Sequence, residues 1–324
     1  MKRRMLGRSG LEVSLLGLGG NSFGPPRMSA DISTRIIRGA LDLGINFIDT
    51  AANYTGGESE RIIGAALGAN RDQVVIATKG HTLDRGELSV ADHLTRSVEA
   101  SLRRLKTDYI DLYQIHRADP AAQTADVVEV LDALVTSGKV RSIGCSNYAS
   151  WRVAESLAVA HQDGFTGFTT VQAHYNLLSR HVERELVGCC RQYALSLIPY
   201  YPLASGFLTG KYHPGEVPHA DTRAATRTDT FARIMTESNW MTLKALEQFA
   251  SERDHSVGDL ALAWLAASDV VSTVIAGASR VAQLERNAEG IAWELTPEEK
   301  SAVDSLTANG AEVSAELPAG ARSR

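Results

Sequence analysis

Cysteine is scarce in this chain, and its scarcity excludes several kinds of protein. The 324 residues include only three cysteines, Cys145, Cys189 and Cys190, and two of them are adjacent. An odd number without a C-x-x-C pair predicts neither a disulfide framework nor a structural zinc site. Free thiols of this kind are typical of a reducing compartment, so we expect a cytoplasmic protein.

Long apolar runs are also missing. No stretch has the roughly 18 consecutive apolar residues of a membrane span, and the basic start MKRRMLGRSG lacks the apolar segment of a signal peptide. The net charge is −5, with 38 acidic and 33 basic residues interspersed along the chain. This balance argues against nucleic acid or a membrane as a partner.

Short apolar runs alternate with helical patterns along the chain. Eight of these runs are predicted to be strands, at 15–18, 45–48, 74–77, 109–115, 140–144, 169–172, 195–200 and 272–275. Since each helix returns the chain to the start of the sheet, the strands must be parallel. The pattern predicts an α/β protein, a (β/α)8 TIM barrel in one domain over residues 1–308, followed by a flexible tail at 309–324.

Three local features complete the predicted architecture. Residues 3–6 and 11–13 form an N-terminal β-hairpin before the barrel, and Asp31 is the expected cap of the first helix. The stretch from Ser205 to Trp240 shows little hydrophobic periodicity, so it predicts a long, mobile loop after strand seven.

An open doubly wound sheet is the alternative fold. Such sheets usually carry G-x-G-x-x-G after the first strand, where the last glycine lets a helix pack closely. Here the segment from Gly17 reads GLGGNS, so Ser22 replaces the last glycine, and Pro25-Pro26 follow where the helix should begin. The barrel is therefore the better interpretation.

Four polar residues lie at or just beyond the ends of consecutive predicted strands: Asp49, Tyr54, Lys79 and His116. In a barrel of this type, strand carboxyl ends gather the reactive groups. Reduction of a carbonyl needs a hydride at carbon and a proton at oxygen. A tyrosine, with a pKa of about 10, is a weak proton donor near neutral pH, and a neighbouring ammonium lowers that pKa. The four residues therefore predict a proton-donating site for a carbonyl oxygen.

Seven motifs extend this pattern. They are Asp-Thr-Ala-x-x-Tyr at 49–54, Gly-x-Ser-Glu-x-x-x-Gly at 57–64, Ala-Thr-Lys-Gly at 77–80, Asp-x-x-x-x-His at 111–116, Ile-Gly-x-Ser-Asn at 143–147, Tyr-x-Pro-Leu at 200–203 and Pro-Leu-Ala-x-Gly-x-x-x-Gly-Lys-Tyr at 202–212. Over essentially its whole length the chain resembles the aldo-keto reductases. It is most similar to the branch that includes short-tailed bacterial oxidoreductases and the potassium-channel β subunits.

The resemblance implies a role for each of the four polar residues. Tyr54 would be the general acid, Lys79 would tune its pKa, Asp49 would anchor Lys79, and His116 would orient the substrate carbonyl. The implied activity is the interconversion of a small-molecule carbonyl and an alcohol. The substrate itself and the oligomeric state have no signature in the sequence.

The resemblance also implies a dinucleotide lying across the barrel mouth. Arg280 beside Ser279 suits a 2′-phosphate, which favours NADPH over NADH. The implied cofactor-binding residues are Gly20, Asn21, Ser146, Asn147, Gln172, Tyr200, Pro202, Leu203, Ser205, Lys211, Arg223, Gly277, Ser279, Arg280, Gln283 and Asn287. Within this set Tyr200 would stack on the nicotinamide, and Gly277 would open a helix whose N-terminus holds phosphate.

Two other functions remain open. A cofactor-sensing binding subunit, like the channel β proteins, is one alternative, although the resemblance implies asparagine in those subunits where this chain has His116. A metal-dependent hydrolase is the other. His81, His174 and His213 form no H-x-H or H-E-x-x-H pattern, so the sequence predicts no metal site.

Overall fold

A nearly closed barrel of parallel strands forms the centre of the protein. The computed structural model describes residues 1–83, 85–216 and 228–308. In this part of the chain all eight predicted strands are present, and neighbouring strands pair in parallel in the order β10-β3-β4-β5-β6-β7-β8-β9. Their bounds are β3 Leu16–Gly19, β4 Phe47–Asp49, β5 Val75–Gly80, β6 Ile110–Ile115, β7 Val140–Ser146, β8 Thr170–His174, β9 Ser196–Tyr200 and β10 Val274–Ala276.

Helices surround the strands and cover the outer face of the barrel. Their apolar stripes pack on the strands, as the 3.6-residue periodicity of the sequence predicts. The described α-helices are α1 Ala30–Asp42, α2 Glu58–Leu67, α3 Val90–Leu105, α4 Thr124–Thr136, α5 Ser150–Asp163, α6 Leu186–Tyr193, α7 Thr228–Ile234, α8 Glu237–Ser251, α9 Val257–Ala266, α10 Val281–Gly290 and α11 Pro297–Thr307. None of these helices has the length and apolar character needed to cross a membrane.

The barrel closes between β9 and the segment just before β10. There the amide of Leu197 donates to the carbonyl of Val270 at 2.8 Å, and Leu197 bridges Val271 in parallel. The barrel interior is packed with side chains, so it is a core and not a channel. One interior cluster consists of Leu6, Val13, Phe47, Val75, Ala77, Leu112, Ile198 and Ile275.

The predicted N-terminal hairpin is present and seals the amino-terminal end of the barrel. Strands β1 (Arg3–Met5) and β2 (Glu12–Ser14) pair antiparallel. Between them Gly7 has φ 54°, and a Cβ there would lie 2.2 Å from the carbonyl oxygen of Thr169. Only glycine fits this turn, because it must take a left-handed conformation in direct contact with backbone. The hairpin leaves the opposite, carboxyl-terminal end open.

Two local predictions need correction. Ser29, not Asp31, caps α1, because its side chain accepts a hydrogen bond from the amide of Ile32 and Asp31 already lies in the first helical turn. The stretch from Ser205 to Trp240 is not one irregular loop, since α7 and the start of α8 lie within it. Helix α7 was missed because seven residues are too few to establish a helical period.

Some predictions fall outside the part of the chain that the structure describes. Arg223, an expected cofactor contact, lies between residues 216 and 228, and the expected tail lies beyond residue 308. Both stay predictions.

Asp111 organises the closed end of the barrel. Its side chain is buried in β6 and accepts hydrogen bonds from Arg71 at 2.7 Å, Arg141 at 3.1 Å and the amide of Ile76 at 3.0 Å. The guanidinium of Arg71 also lies over the ring of Tyr109, 4.1 Å from its centroid. The aspartate of the Asp-x-x-x-x-His motif is therefore structural and lies away from His116.

We expect Asp111→Ala to lower the free energy of unfolding by about 3–5 kcal/mol, because it leaves a largely buried arginine and a buried amide unpaired. Arg141→Ala is the matched control. The Arg141 side chain is 55% exposed, so its loss should cost about 1 kcal/mol or less. Urea denaturation measures both changes. Equal losses in the two variants would contradict the central role of Asp111.

Candidate active site

The four predicted catalytic residues come together at the open end of the barrel. Asp49 is the last residue of β4, Lys79 lies near the end of β5, and His116 directly follows β6. Tyr54 begins a short 3₁₀ turn after β4, Tyr54–Gly57. Because parallel strands end at the same edge of the sheet, residues that are far apart in sequence meet here.

A buried ion pair between Lys79 and Asp49 is the centre of this group. The ammonium of Lys79 donates to both carboxylate oxygens of Asp49, at 2.6 and 2.7 Å, and to the carbonyl of Thr50 at 2.9 Å. Gln172 donates to the Asp49 carboxylate at 2.7 Å. Both charges are thus removed from water and compensated by short, direct hydrogen bonds.

Tyr54 and His116 form the outer part of the group. The hydroxyl of Tyr54 lies 3.5 Å from the Lys79 ammonium. The rings of Tyr54 and His116 meet edge to face, with centroids 5.8 Å apart and planes at 77°. The amide of His116 donates to the carbonyl of Gly80 at 2.7 Å, which ties the end of β6 to that of β5. A phenol and an imidazole therefore lie side by side above the ion pair.

Burial determines the protonation of these groups. Burial, followed by the charge of Asp49, raises the pKa of Tyr54 well above its ordinary value. This is opposite to the lowering that Lys79 alone would cause, because burial disfavours the phenolate and the Asp49 carboxylate repels it. Burial and then the charge of Lys79 lower the pKa of His116 to about 3. Near neutral pH the site therefore presents a protonated phenol and a neutral imidazole.

The residues expected to contact the nicotinamide form a wall across β7, β8 and β9. Asn147 has φ 58°, and its amide group donates to the carbonyl of His116 at 3.1 Å and to the hydroxyl of Ser146 at 3.0 Å. The hydroxyl of Tyr200 donates to the side-chain oxygen of Asn147 at 2.8 Å. Gln172 also lies in this wall, but its amide is directed to Asp49, a contact that the sequence did not reveal.

The segment after β9 turns sharply along the barrel mouth. Tyr201, Ala204 and Ser205 have φ of 55°, 45° and 59°, which is unusual for residues with side chains. Conformations of this kind cost energy and cluster at functional sites. Pro202 and Leu203 lie within this turn, and Lys211 follows it. The Lys211 side chain is exposed, and its ammonium lies 5.0 Å from the ring centroid of Tyr212.

The expected adenosine-binding residues lie around the start of α10. Gly277 is in the loop before this helix and does not open it, because Arg280 is the residue that directly precedes the first turn. Gln283 accepts hydrogen bonds from the amide and hydroxyl of Ser279, at 3.1 and 3.2 Å. The side-chain nitrogen of Asn287 is buried and has no hydrogen-bond partner among the described residues.

The first loop of the barrel closes the opposite side of the mouth. The amide of Gly20 donates to the carbonyl of Asp49 at 2.7 Å. A Cβ at Gly20 would lie 3.0 Å from the hydroxyl of Ser59 and 3.1 Å from the carbonyl of Asp49, so a side chain there would crowd the end of β4. The carbonyl of the next residue, Asn21, accepts a hydrogen bond from Arg27 at 2.8 Å.

Two further residues of the site were missed by sequence reasoning. The carbonyl of Thr50 holds Lys79, and the imidazole of His174 stacks on the ring of Tyr200. Backbone acceptors have no sequence signal. His174 could have been noticed, because it stands two residues after Gln172 and so shares its side of β8. In the described part of the chain no group of three or more histidine, cysteine or acidic side chains is placed to hold a metal ion.

Comparisons with known proteins agree with this geometry. The sequence model of the Aldo/keto reductase family matches residues 15–308. A probable voltage-gated potassium channel subunit beta from Oryza sativa subsp. japonica is 33% identical over 301 residues, which cover 90% of this chain and 91% of that protein. The uncharacterized oxidoreductase YrpG from Bacillus subtilis (strain 168) is 35% identical over 316 residues, covering 92% and 93%.

Solved structures show the same similarity. An aldo-keto reductase from Bacillus halodurans, determined in its holo form, superposes with a TM-score of 0.77 at 30% identity, and the match covers 94% of this chain and 96% of that one. Sequence, fold and the arrangement of polar residues thus lead to one conclusion: the chain belongs to the aldo/keto reductase family of oxidoreductases.

Proposed function

We propose that the chain is an NADPH-dependent oxidoreductase that interconverts an aldehyde or ketone and an alcohol, with Tyr54 as general acid and base. One observation carries the proposal. A protonated phenol and a neutral imidazole lie side by side at the barrel mouth, directly above a buried Lys79–Asp49 pair. These are the groups that a carbonyl oxygen needs when it gains a proton.

Each residue has a defined part in the proposed reaction. The carbonyl oxygen of the substrate accepts hydrogen bonds from Tyr54 and His116, which polarises the carbonyl and fixes its direction. Tyr54 then gives its proton to that oxygen. The resulting phenolate is next to the ammonium of Lys79, 3.5 Å away, which stabilises it until a proton returns. Asp49 and the carbonyl of Thr50 hold the ammonium at that distance.

The residues around the mouth suit a dinucleotide. When bound, a reduced nicotinamide supplies the hydride for the carbonyl carbon. Within the described residues, the buried amide nitrogen of Asn287 has no hydrogen-bond partner, so it is a candidate donor to a ligand. The left-handed turn at 201–206 gives the kind of backbone concavity that binds anions. Arg280 and Lys211 are exposed cations on the two segments that flank this end of the site.

Replacement of Tyr54 by phenylalanine tests the chemistry. We expect Tyr54→Phe to lower the rate of carbonyl reduction by about 10²–10⁴-fold, because it removes the proton donor and keeps the ring. NADPH affinity should stay nearly unchanged. The measurement is NADPH oxidation with a carbonyl substrate whose chemical step limits the rate, alongside a binding titration by fluorescence.

Tyr109→Phe is the matched control, since Tyr109 lies at the closed end of the barrel beside Arg71. This variant should retain full activity. More than about a tenth of wild-type turnover in Tyr54→Phe would remove Tyr54 from its proposed role, because a general acid contributes at least about a hundredfold.

Cofactor choice is tested at Arg280. We expect Arg280→Ala to weaken NADPH binding about ten- to a hundredfold, the effect of losing a charged hydrogen bond to phosphate, and to change NADH binding little. Arg286→Ala, in the helix that Arg280 precedes, should leave the ratio of the two dissociation constants unchanged. If Arg280→Ala weakens both cofactors equally, Arg280 does not recognise the 2′-phosphate.

A cofactor-sensing binding subunit is the second candidate, favoured by the 33% identity to a protein named as a probable potassium channel β subunit. The two functions predict different rates of NADPH oxidation. An enzyme oxidises NADPH in the presence of a suitable member of a panel of sugars, aromatic aldehydes, quinones and keto-steroids. A protein that binds NADPH tightly but turns over none of them would support the second candidate.

A further inference from the structure

The ring of Tyr200 is held from two sides. Its hydroxyl bonds Asn147, the residue that follows β7, at 2.8 Å, so the ring reaches from the end of β9 across the end of β8. The β8 residue paired with Tyr200 is His174, and the two rings stack with centroids 5.5 Å apart and planes 11° from parallel. The ring of Tyr201 also meets Tyr200, edge to face, with centroids 5.2 Å apart. Among these neighbours only the imidazole of His174 lies nearly parallel to the Tyr200 ring.

Hydrogen bonds fix the protonation of His174. The side-chain oxygen of Asn176 accepts from the amides of Leu178 and Ser179, at 2.9 and 3.0 Å, which determines how the Asn176 side chain is oriented. Its nitrogen therefore points the other way, to the carbonyl of Tyr201 at 2.9 Å and to Nε2 of His174 at 3.2 Å. Because the amide nitrogen of Asn176 can only donate, Nε2 of His174 must accept and therefore carries no proton. His174 is thus a neutral imidazole with its proton on Nδ1, 3.4 Å from the hydroxyl of Ser179.

The other ionisable groups around His174 favour the same state. His181 lies on the far side of Ser179, with ring centroids 6.4 Å from His174, and the Arg180–Glu183 ion pair flanks His181 in sequence. Tyr200 and Tyr201 pack against the imidazole from β9 and the residue after it. Burial, followed by His181, lowers the pKa of His174 to about 4.

We propose that His174 is a positioning residue: it sets the plane of the Tyr200 ring on which the nicotinamide rests, and Asn176 keeps it uncharged. This inference rests on the proposed function, because it needs Tyr200 to be the nicotinamide platform. A neutral imidazole behind that ring adds no charge that would distinguish the cationic, oxidised nicotinamide from the neutral, reduced one. Both redox states of the cofactor can then use the same platform.

The first test compares variants of the stack. His174→Ala should raise the dissociation constant of NADPH about three- to tenfold through loss of the ring contact. His174→Phe keeps a stacking ring and should stay within about twofold of wild type. His181→Ala is the matched control, since it removes the neighbouring imidazole, whose ring centroid lies 6.4 Å from that of His174, and leaves the stack of His174 on Tyr200 intact.

The second test replaces the hydrogen-bond donor of Asn176, which faces Nε2 of His174, with an acceptor. Asn176→Asp places a carboxylate opposite Nε2, which raises the pKa of His174 and allows it to gain a proton as pH falls. We expect the ratio of the NADP⁺ to the NADPH dissociation constant to rise about two- to twentyfold between pH 8 and pH 6, because a positive charge is added behind the platform. In wild type and in His174→Phe/Asn176→Asp the ratio should not change with pH. The 2′-phosphate is common to both nucleotides, so its titration cancels.

The outcomes separate this inference from the proposed function. Failure of the wild-type protein to bind NADPH would overturn the proposed function. Two results, each with normal NADPH binding by the wild type, would overturn the role of His174 alone. One is an equal loss of NADPH affinity in His174→Ala and His181→Ala. The other is a pH-independent ratio of the NADP⁺ to the NADPH dissociation constant in Asn176→Asp. ¹⁵N NMR of His174 in the ligand-free wild type should show a bare Nε2 between pH 6 and 8, and a protonated Nε2 there would also contradict the inference.

Discussion

The ion pair between Lys79 and Asp49 is the interaction on which the candidate site depends. Both side chains are buried, and removal of either would leave an uncompensated charge in the barrel. The pair also binds the carbonyl of Thr50 and the amide of Gln172, so the ends of β4, β5 and β8 are fixed relative to one another. Tyr54 is positioned by the same ammonium. The 3₁₀ turn after β4, with the amide of Tyr54 donating to the carbonyl of Ala51 at 3.1 Å, brings the phenol to 3.5 Å from the ammonium.

The opposite charges of Lys79 and Asp49 nearly cancel, and this affects the protonation of Tyr54. Because the Asp49 carboxylate offsets the ammonium, burial prevails at Tyr54 and keeps the phenol protonated. The imidazoles of His116 and His174 are uncharged because burial lowers their pKa values to about 3 and about 4, helped by the charge of Lys79 at His116 and by His181 at His174. The group formed by Tyr54, His116 and the ion pair is therefore polar without strong net charge, which suits the uncharged carbonyl of the proposed reaction and a proton donor that must not ionise early.

The sequence predicted the positions of the strands better than the contacts between side chains. Strand positions followed from short apolar runs, and the convergence of Asp49, Lys79 and His116 followed from strand polarity alone. The side-chain contacts between strands did not follow from the sequence, as the contacts of Gln172 with Asp49 and of His174 with Tyr200 show. Such contacts depend on side-chain direction, which periodicity does not specify. The pKa direction of Tyr54 was missed because burial cannot be read from spacing.

The pH dependence of carbonyl reduction tests this account most directly. The proposed reaction needs the protonated phenol, and the pKa of Tyr54 is raised above its ordinary value of 10, so protonation is lost only above that pH. With a substrate whose hydride-transfer step limits turnover, kcat should be constant from about pH 6 to pH 9, because the pKa of His116 lies far below this range. A rise or fall of kcat with an apparent pKa between 6 and 9 would show that Tyr54 or His116 titrates in this range. That result would contradict a site held in one protonation state around the buried Lys79–Asp49 pair.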